Sequence, residues 1–137
     1  MIGMDFPLTA TWTDNEEVQE QRVLDVASAL DLFHKVDSAA RKGDPTMVEF
    51  KNGRGAAIAI GAGRDVTVIT AQSSEDPPYF MSLARGSLVP EDPTFMYLAE
   101  NTPYPVENTV PKAEGVTALE RFLRSGELDP ALDWERL

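Results

Sequence analysis

The sequence predicts an α+β fold in which two amphipathic helices pack against an antiparallel sheet of about five to seven strands. Two segments, one in each half of the chain, repeat apolar residues with the period of a helix, whereas most segments between them have the composition of short strands. The connections between these strands are too short for the crossovers that parallel strands require. The chain has 137 residues, of which 42% are hydrophobic, so we expect one domain over residues 1–137 with a sizeable core.

The first predicted strand covers residues 8–13, where apolar and polar residues alternate in the sequence LTATWT. An acidic stretch without basic residues follows it and contains Asp14, Glu16, Glu17 and Glu20. The spacing of these carboxylates is not that of a calcium loop. They form either a solvated turn or a contact surface for a cationic partner.

The first helix is predicted to follow Asp25 and to end before Gly43, with Arg41 and Lys42 near the negative end of its dipole. Asp25 is a suitable N-cap because its carboxylate can accept a hydrogen bond from a free backbone N–H. Gly43 can adopt the left-handed conformation that often follows a helix. The apolar residues that recur on one face of this helix are Val26, Ala29, Leu30, Phe33, Val36 and Ala40.

The middle of the chain has the pattern of a strand meander. Asn52-Gly53 predicts a hairpin because both residues tolerate positive φ. Gly61-Ala62-Gly63 predicts a tight turn and not a dinucleotide-binding loop, which would need a third glycine and a following helix. The strands predicted here cover residues 46–51, 56–60, 66–71, 79–84 and 94–99.

The C-terminal region contains the second predicted helix. Residues 101–111 include three prolines and are not expected to be regular throughout. The helix is predicted over residues 112–125 and ends at Gly126, and a short strand around Trp134 is predicted at residues 132–135. The apolar face of this helix consists of Val116, Leu119, Phe122 and Leu123.

The charge of the chain limits the classes of function open to it. Twelve Lys and Arg against 23 Asp and Glu give a net charge of −11, which disfavours direct binding to nucleic acid or to anionic membranes. A basic protein partner would be attracted, and long-range electrostatics would accelerate its association. Because the chain has no cysteine and one histidine, sites built on thiolates or on two histidines are excluded, and we expect no metal and no cofactor.

The sequence shows no targeting or membrane segment. Its N-terminal residues lack the basic and continuous apolar regions of a secretory signal, and its longest apolar run is too short to span a bilayer. We therefore expect a cytoplasmic protein.

Catalytic interpretations of the remaining polar residues have little support. His34 is expected to be exposed on the first helix, and no GxSxG elbow accompanies it. Two acidic dipeptides, Glu75-Asp76 and Glu91-Asp92, each precede a proline and are typical of solvated loops. A hydrolase that uses a carboxylate pair and a domain that binds a small ligand or a general protein partner remain the alternatives.

Several segments together resemble family one of the immunity proteins from bacterial polymorphic toxin systems. The clearest similarity lies in DPPYFMSLARG, TFMYLAE and the closing TVPKAEGVTALERFLRSGELDPALDWERL, and ATWTD, GAAIAIGAG and VTVIT are also similar. Gly115, inside the second helix, departs from the stronger helix former usual there. The positions that match the family's proline-led helix, its terminal glycine and its tryptophan-acid pair are Pro111, Ala118, Phe122, Leu123, Gly126, Trp134 and Glu135.

The resemblance implies an α+β domain that binds and blocks a toxin domain encoded alongside it. Toxins associated with this family include nucleic-acid deaminases and nucleases, so the implied partner acts on DNA or RNA. Such a toxin tends to present a basic groove, which an acidic protein can occupy in place of phosphate. This function needs no catalysis by the chain.

The residues expected to contact the toxin follow from charge and predicted exposure, because the resemblance does not locate the interface. Trp12 and Tyr79 are the candidate aromatic anchors. The candidate acidic contacts are Asp14, Glu16, Glu17, Glu75, Asp76 and Glu100.

Overall fold

The computed structural model describes residues 4–86 and 89–137, and within these ranges the chain forms two α-helices and eleven strands. The helices are α1 (Val26–Ala40) and α2 (Lys112–Ser125). The strands are β1 (Leu8–Asp14), β2 (Glu17–Val23), β3 (Thr46–Lys51), β4 (Ala57–Ala62), β5 (Val66–Thr67), β6 (Ile69–Gln72), β7 (Tyr79–Leu83), β8 (Thr94–Tyr97), β9 (Glu100–Pro103), β10 (Val110–Pro111) and β11 (Asp133–Arg136). The predicted α+β class is confirmed, with more strands than expected.

Nine of the strands in the described residues form one mixed sheet. Its order is β11-β7-β6-β4-β3-β1-β2, and neighbours along this path are antiparallel. β8 pairs with β3 in parallel at Thr46 and Met96, and β9 is antiparallel to β8. β5 and β10 form a separate two-stranded sheet. The predicted meander is thus correct for β3, β4, β6 and β7, whereas β8 departs from it.

Both helices cover the same face of the sheet and bury the main core against it. Alternate residues of β3 and β4 point toward them, including Val48, Phe50, Ile58 and Ile60. Each such side chain contributes roughly 1.5–3 kcal/mol when fully buried. The helix residues buried in this core are Ala29, Leu32, Phe33, Val36, Ala40, Ala118, Leu119, Phe122 and Leu123.

Helix α1 begins as predicted but ends differently. The Asp25 carboxylate accepts a hydrogen bond from the Ser28 N–H at 2.7 Å, and this bond lowers the pKa of Asp25. Gly43 is not among the residues with positive φ, so its predicted left-handed conformation is wrong. The reason is that Lys42 and Gly43 donate to the carbonyls of Ala39 and Ala40, which satisfies the end of the helix without a left-handed residue.

The acidic stretch after β1 is only partly a turn. Asn15 and Glu16, with φ values of 50° and 65°, reverse the chain, which returns as β2 along the whole of β1. This strand lies at the edge of the sheet, and most of its residues are exposed. It therefore has no hydrophobic alternation by which its sequence, EVQEQRV, could reveal it.

The chain turns at both predicted places in the middle, but the geometry differs from the prediction: positive φ occurs at Gly55 and not at Asn52-Gly53, and Gly61 and Ala62 still belong to β4. The hairpin at Asn52-Gly53 has a longer loop, in which the buried Asn52 side chain accepts hydrogen bonds from the N–H groups of Arg54 and Ala56. The turn after β4 contains Gly63 at φ 98°.

Two segments predicted as single strands are divided. The segment 66–71 breaks at Val68, because β5 pairs with β10 whereas β6 enters the main sheet. The segment 94–99 ends as a strand at Tyr97, turns at Leu98-Ala99, and continues as β9 into the region expected to be irregular. That region also contains a 3-10 turn, Val106–Asn108, and β10.

The C-terminal elements agree closely with their prediction. Helix α2 has the predicted bounds, and Gly126 ends it in the left-handed conformation with φ 73° and an N–H bond to the Phe122 carbonyl at 2.8 Å. Trp134 lies in β11, packs against the main core, and donates its indole N–H to the Asp129 carbonyl at 2.9 Å. The second tryptophan therefore has a structural role.

An ion pair with little exposure joins the two helices. The Asp37 carboxylate of α1 accepts a hydrogen bond from the Lys112 ammonium of α2 and another, at 2.7 Å, from the Gly63 N–H. The side chains of Asp37 and Lys112 are 16% and 14% exposed. Asp37 thus ties α1 both to α2 and to the turn after β4.

Candidate functional site

The face of the sheet opposite the helices is partly open. The β8–β9 hairpin covers part of it, where Phe95 packs with Met47, Ala59 and Val68 in a second, smaller core. Gly61 makes this packing possible, because a Cβ there would lie 2.6 Å from the Phe95 ring. The hairpin is therefore held firmly beside β3, and its turn projects toward β1.

Two tight turns lie side by side at one end of this face. Asn15-Glu16 connects β1 to β2, and Leu98-Ala99 connects β8 to β9, and both pairs have φ values of 50° and 65°. The Ala99 N–H donates to Thr13 Oγ1 at 3.1 Å, which fixes the second turn against the end of β1. We call the surface formed by residues 14–18 and 97–100 the twin-turn surface.

The twin-turn surface exposes large apolar side chains. Leu98 is 60% exposed, Val18 is 47% exposed and Tyr97 is 37% exposed. Val18 lies directly across from Thr13 in the β1–β2 pair, and Thr13 binds the Leu98-Ala99 turn. Val18 and the second turn are thus neighbours through Thr13, although 80 residues separate Val18 from Leu98 in the sequence.

Acidic side chains surround these apolar groups. Asp14, Glu16, Glu17 and Glu100 are all exposed, and none of them belongs to an ion pair within residues 4–86 and 89–137. The cations that pair with carboxylates lie elsewhere, as in the pairs of Lys51 with Glu75 and of Arg85 with Asp133. The negative charge of the twin-turn surface is therefore not compensated by the chain itself.

Tyr97 is held in place at the border of this surface. Its hydroxyl donates to Glu49 Oε2 at 3.2 Å. Burial, together with the negative charge of Glu49 and this hydrogen bond, raises the pKa of Tyr97 to about 12, so the phenol stays protonated at neutral pH. A ring fixed in this way loses less conformational entropy when a partner covers it.

The predicted contact residues are divided between two ends of the sheet. Four of them lie together on the twin-turn surface, namely Asp14, Glu16, Glu17 and Glu100. Three others lie at the far end. Glu75, Asp76 and Tyr79 belong to or adjoin the loop between β6 and β7, where Lys51 Nζ lies 2.8 Å from Glu75 Oε1 and the Tyr79 hydroxyl donates to the Glu75 carbonyl. Lys51 pairs across the sheet with Thr9. Since strands rise about 3.3 Å per residue, roughly 16 Å of β1 separates this end from Asp14.

Trp12 lies on the helix side of β1. It is half-buried against the main core and lines a narrow crevice with Val36 and Ala40 of α1. The same crevice is bordered by Asp14 and Glu16. The tryptophan thus packs against the β1–β2 turn from the helix side, and only its exposed edge is available for contact with a partner.

The carboxylates considered for catalysis do not form one constellation. Glu75 packs beside Gly55, which precedes β4. Glu91 and Asp92 precede β8 and lie near the other end of β4. The contact there is a hydrogen bond that Arg64 donates to the Thr94 carbonyl. Asp92 accepts a hydrogen bond from the Val106 N–H at 2.9 Å. His34 is exposed on α1, as predicted. Among the described residues, no group of three or more His, Cys, Asp or Glu is arranged to hold a metal ion.

The exposure of Val18, Tyr97 and Leu98 has no clear signal in the sequence. Val18 lies in a strand that had no periodic signal, and Leu98-Ala99 contains neither the glycine nor the asparagine that usually marks a turn with positive φ. The nearest local signal is the pair of aromatic residues in TFMY. Strand alternation puts Phe95 and Tyr97 on the same side of β8, but it does not indicate that Tyr97 is the exposed one.

Comparison of the sequence with models of protein families gives a match over nearly the whole chain. Residues 14–136, nearly the whole chain, match the family model described as Immunity protein Imm1. No curated protein matches the chain in a sequence search. In the described ranges, no helix is both long and apolar enough to cross a membrane.

Proposed function

Because the chain belongs to the Imm1 family of immunity proteins, we propose that it neutralises a cognate toxin domain that acts on nucleic acid, as a deaminase or a nuclease. It does so by covering the basic surface with which that toxin binds its substrate. The chain acts as a stoichiometric binder, transforms nothing itself, and requires neither a cofactor nor a metal.

The distribution of charge is the observation that supports this function. Of the twelve Lys and Arg side chains, seven form ion pairs with carboxylates of the same chain within the described ranges. Most of the 23 carboxylates consequently have no cationic partner among the residues that the structure describes. A toxin that binds nucleic acid needs clustered Lys and Arg for phosphate contacts, and such a cluster is electrostatically complementary to this chain.

The direct test uses the toxin domain encoded by the neighbouring gene. Co-expression of this chain should restore the growth of cells that produce the toxin domain. The two purified proteins should form a 1:1 complex by light scattering. A catalytically inactive variant of the toxin allows the complex to be prepared without selection against its activity.

The occlusion mechanism has its own measurement. The inactive toxin domain should bind a fluorescent oligonucleotide, and addition of one equivalent of this chain should release it. An unrelated protein of similar net charge should not release it at the same concentration. A ternary complex of toxin, immunity protein and oligonucleotide would contradict occlusion, and failure of the two proteins to associate would contradict the pairing itself.

A further inference from the structure

We propose that the toxin domain contacts the twin-turn surface, with Val18, Tyr97 and Leu98 as the apolar centre of the interface and the surrounding carboxylates as its rim. This inference rests on the proposed function and adds the location of the interface. The partner it fits is a toxin surface on which basic side chains surround an apolar patch.

The exposed apolar groups of the twin-turn surface are adjacent. Single exposed apolar residues are common on protein surfaces, but adjacent ones surrounded by polar residues mark interaction sites. Interfaces place apolar and aromatic side chains at their centre and polar groups at their rim. Here Leu98 and Tyr97 lie beside Val18, because the Ala99 N–H holds their turn to Thr13.

The backbone conformation at Leu98 supports the same location. Its φ of 50° is left-handed, a conformation in which asparagine or glycine is more stable than leucine. The leucine gains little from burial in return, since it is 60% exposed. Burial in the free chain therefore does not offset the backbone strain at Leu98, whereas burial of the leucine against a partner would.

The charge around this apolar centre favours a basic partner. Asp14, Glu16, Glu17 and Glu100 have no ion-pair partners in the described ranges, so they are available to a cationic partner. The uncovered part of the open sheet face differs, because a shallow groove there is lined by both signs of charge, including Arg22 and Lys51. A basic toxin surface is therefore complementary to the twin turns and less so to that groove.

The apolar centre is tested with Leu98→Asn and a matched control. Asparagine suits the left-handed turn, so the free variant should melt at a higher temperature than the wild type, while its complex with the toxin domain should dissociate at least tenfold faster. The control is Leu24→Asn, which removes a leucine that is 67% exposed at the other end of β2. Its dissociation rate should stay within twofold of the wild type. A gain in stability together with a loss of binding cannot result from unfolding.

The acidic rim is tested with two triple variants, one that neutralises three carboxylates of the twin-turn surface and a control that neutralises three carboxylates elsewhere. Glu16→Gln, Glu17→Gln and Glu100→Gln together should reduce the association rate about tenfold at low salt. The control set is Asp31→Asn, Glu91→Gln and Glu107→Gln. It changes the net charge equally, on exposed residues of α1, of the loop before β8 and of the 3-10 turn, and it should reduce the rate less than threefold. The difference between the two sets should disappear at 0.5 M salt, because charges are then screened.

The outcomes separate this inference from the proposed function. If the wild-type chain does not bind the toxin domain, the proposed function fails and this inference fails with it. If the wild type binds, and the Leu98→Asn variant and the triple variant of Glu16, Glu17 and Glu100 bind equally well, the interface lies elsewhere on the chain. The proposed function is then unaffected. A dimer of the free wild-type chain that Leu98→Asn dissolves would also overturn this inference, since the surface would then belong to self-association.

Discussion

Gly115 shows how a single residue sets the distance between two elements. In a helix interior, glycine costs about 1 kcal/mol relative to alanine. Gly115 is nevertheless buried in α2, and a Cβ at this position would collide with Thr67 Cγ2 on β5. The departure from a stronger helix former therefore has a packing reason, because α2 can approach β5 this closely only without a side chain.

We expect Gly115→Ala to lower the free energy of unfolding by about 1–3 kcal/mol, since overpacking outweighs the gain in helix propensity. Thr67→Ser removes the opposing methyl group and keeps the hydroxyl that donates to the Gly61 carbonyl at 2.9 Å. The double variant should recover much of the loss, which urea titrations of the four proteins would measure. Thr117→Ala, at an exposed position of α2, is the control and should be nearly neutral. Additive effects of Gly115→Ala and Thr67→Ser would contradict the collision.

At the scale of elements, the ion pair of Asp37 with Lys112 connects α1 to α2. Burial tends to raise the pKa of Asp37, but hydrogen bonds from Lys112 and Gly63 and the charges of Lys112 and Arg41 lower it on balance from its ordinary value of 3.8. A depressed pKa means that the carboxylate stabilises the fold above about pH 4. This contribution is lost as the pH falls through the pKa of the folded state.

We expect Asp37→Asn to lower the free energy of unfolding by about 3 kcal/mol at pH 7, because it leaves the Lys112 ammonium with little exposure and no carboxylate partner. The deficit relative to the wild type should shrink as the pH falls below about 4 and through the lowered pKa of the folded state, where the wild-type carboxylate becomes protonated. Denaturant titrations between pH 3 and pH 7 would measure this deficit. Asp31→Asn, on the exposed side of α1, is the matched control. A deficit that stays constant over this pH range would show that packing, and not charge, links the helices.

At the scale of the whole molecule, the net charge of −11 has opposite consequences for folding and for binding. Repulsion among carboxylates without partners destabilises the free, compact chain, whereas the same field attracts a basic partner. Salt screens both effects.

We therefore expect added salt to stabilise the free chain and to slow its association with the toxin. Raising NaCl from 20 to 300 mM should increase the melting temperature by about 3 °C, the shift that roughly 1 kcal/mol produces in a chain of this size. The association rate should fall over the same range, which stopped-flow fluorescence would measure. A melting temperature that falls with salt would show that the ion pairs contribute more to stability than the repulsion removes.

Local signals explain which elements could be predicted from the sequence. Helix α2 has an apolar face with helical period and a glycine at its end, and the range that these signals predict, roughly 112–125, agrees with its bounds. The Asp25 cap is equally local. Strand β2 has no periodic signal because it is an edge strand exposed on both faces. The Leu98-Ala99 turn has no local signal because its residues are not typical of its conformation.

The sequence by itself determined the α+β class, both helices, the excess of carboxylates and the resemblance to immunity proteins, because each depends on composition or on neighbours within a few residues. It also led to four of the acidic residues that line the twin-turn surface. Only the tertiary structure decided that these residues meet Val18 and Leu98 while Glu75 and Tyr79 lie far away. That arrangement depends on the parallel pairing of β8 with β3 and on the bond from Ala99 to Thr13, contacts between distant residues for which no local pattern exists.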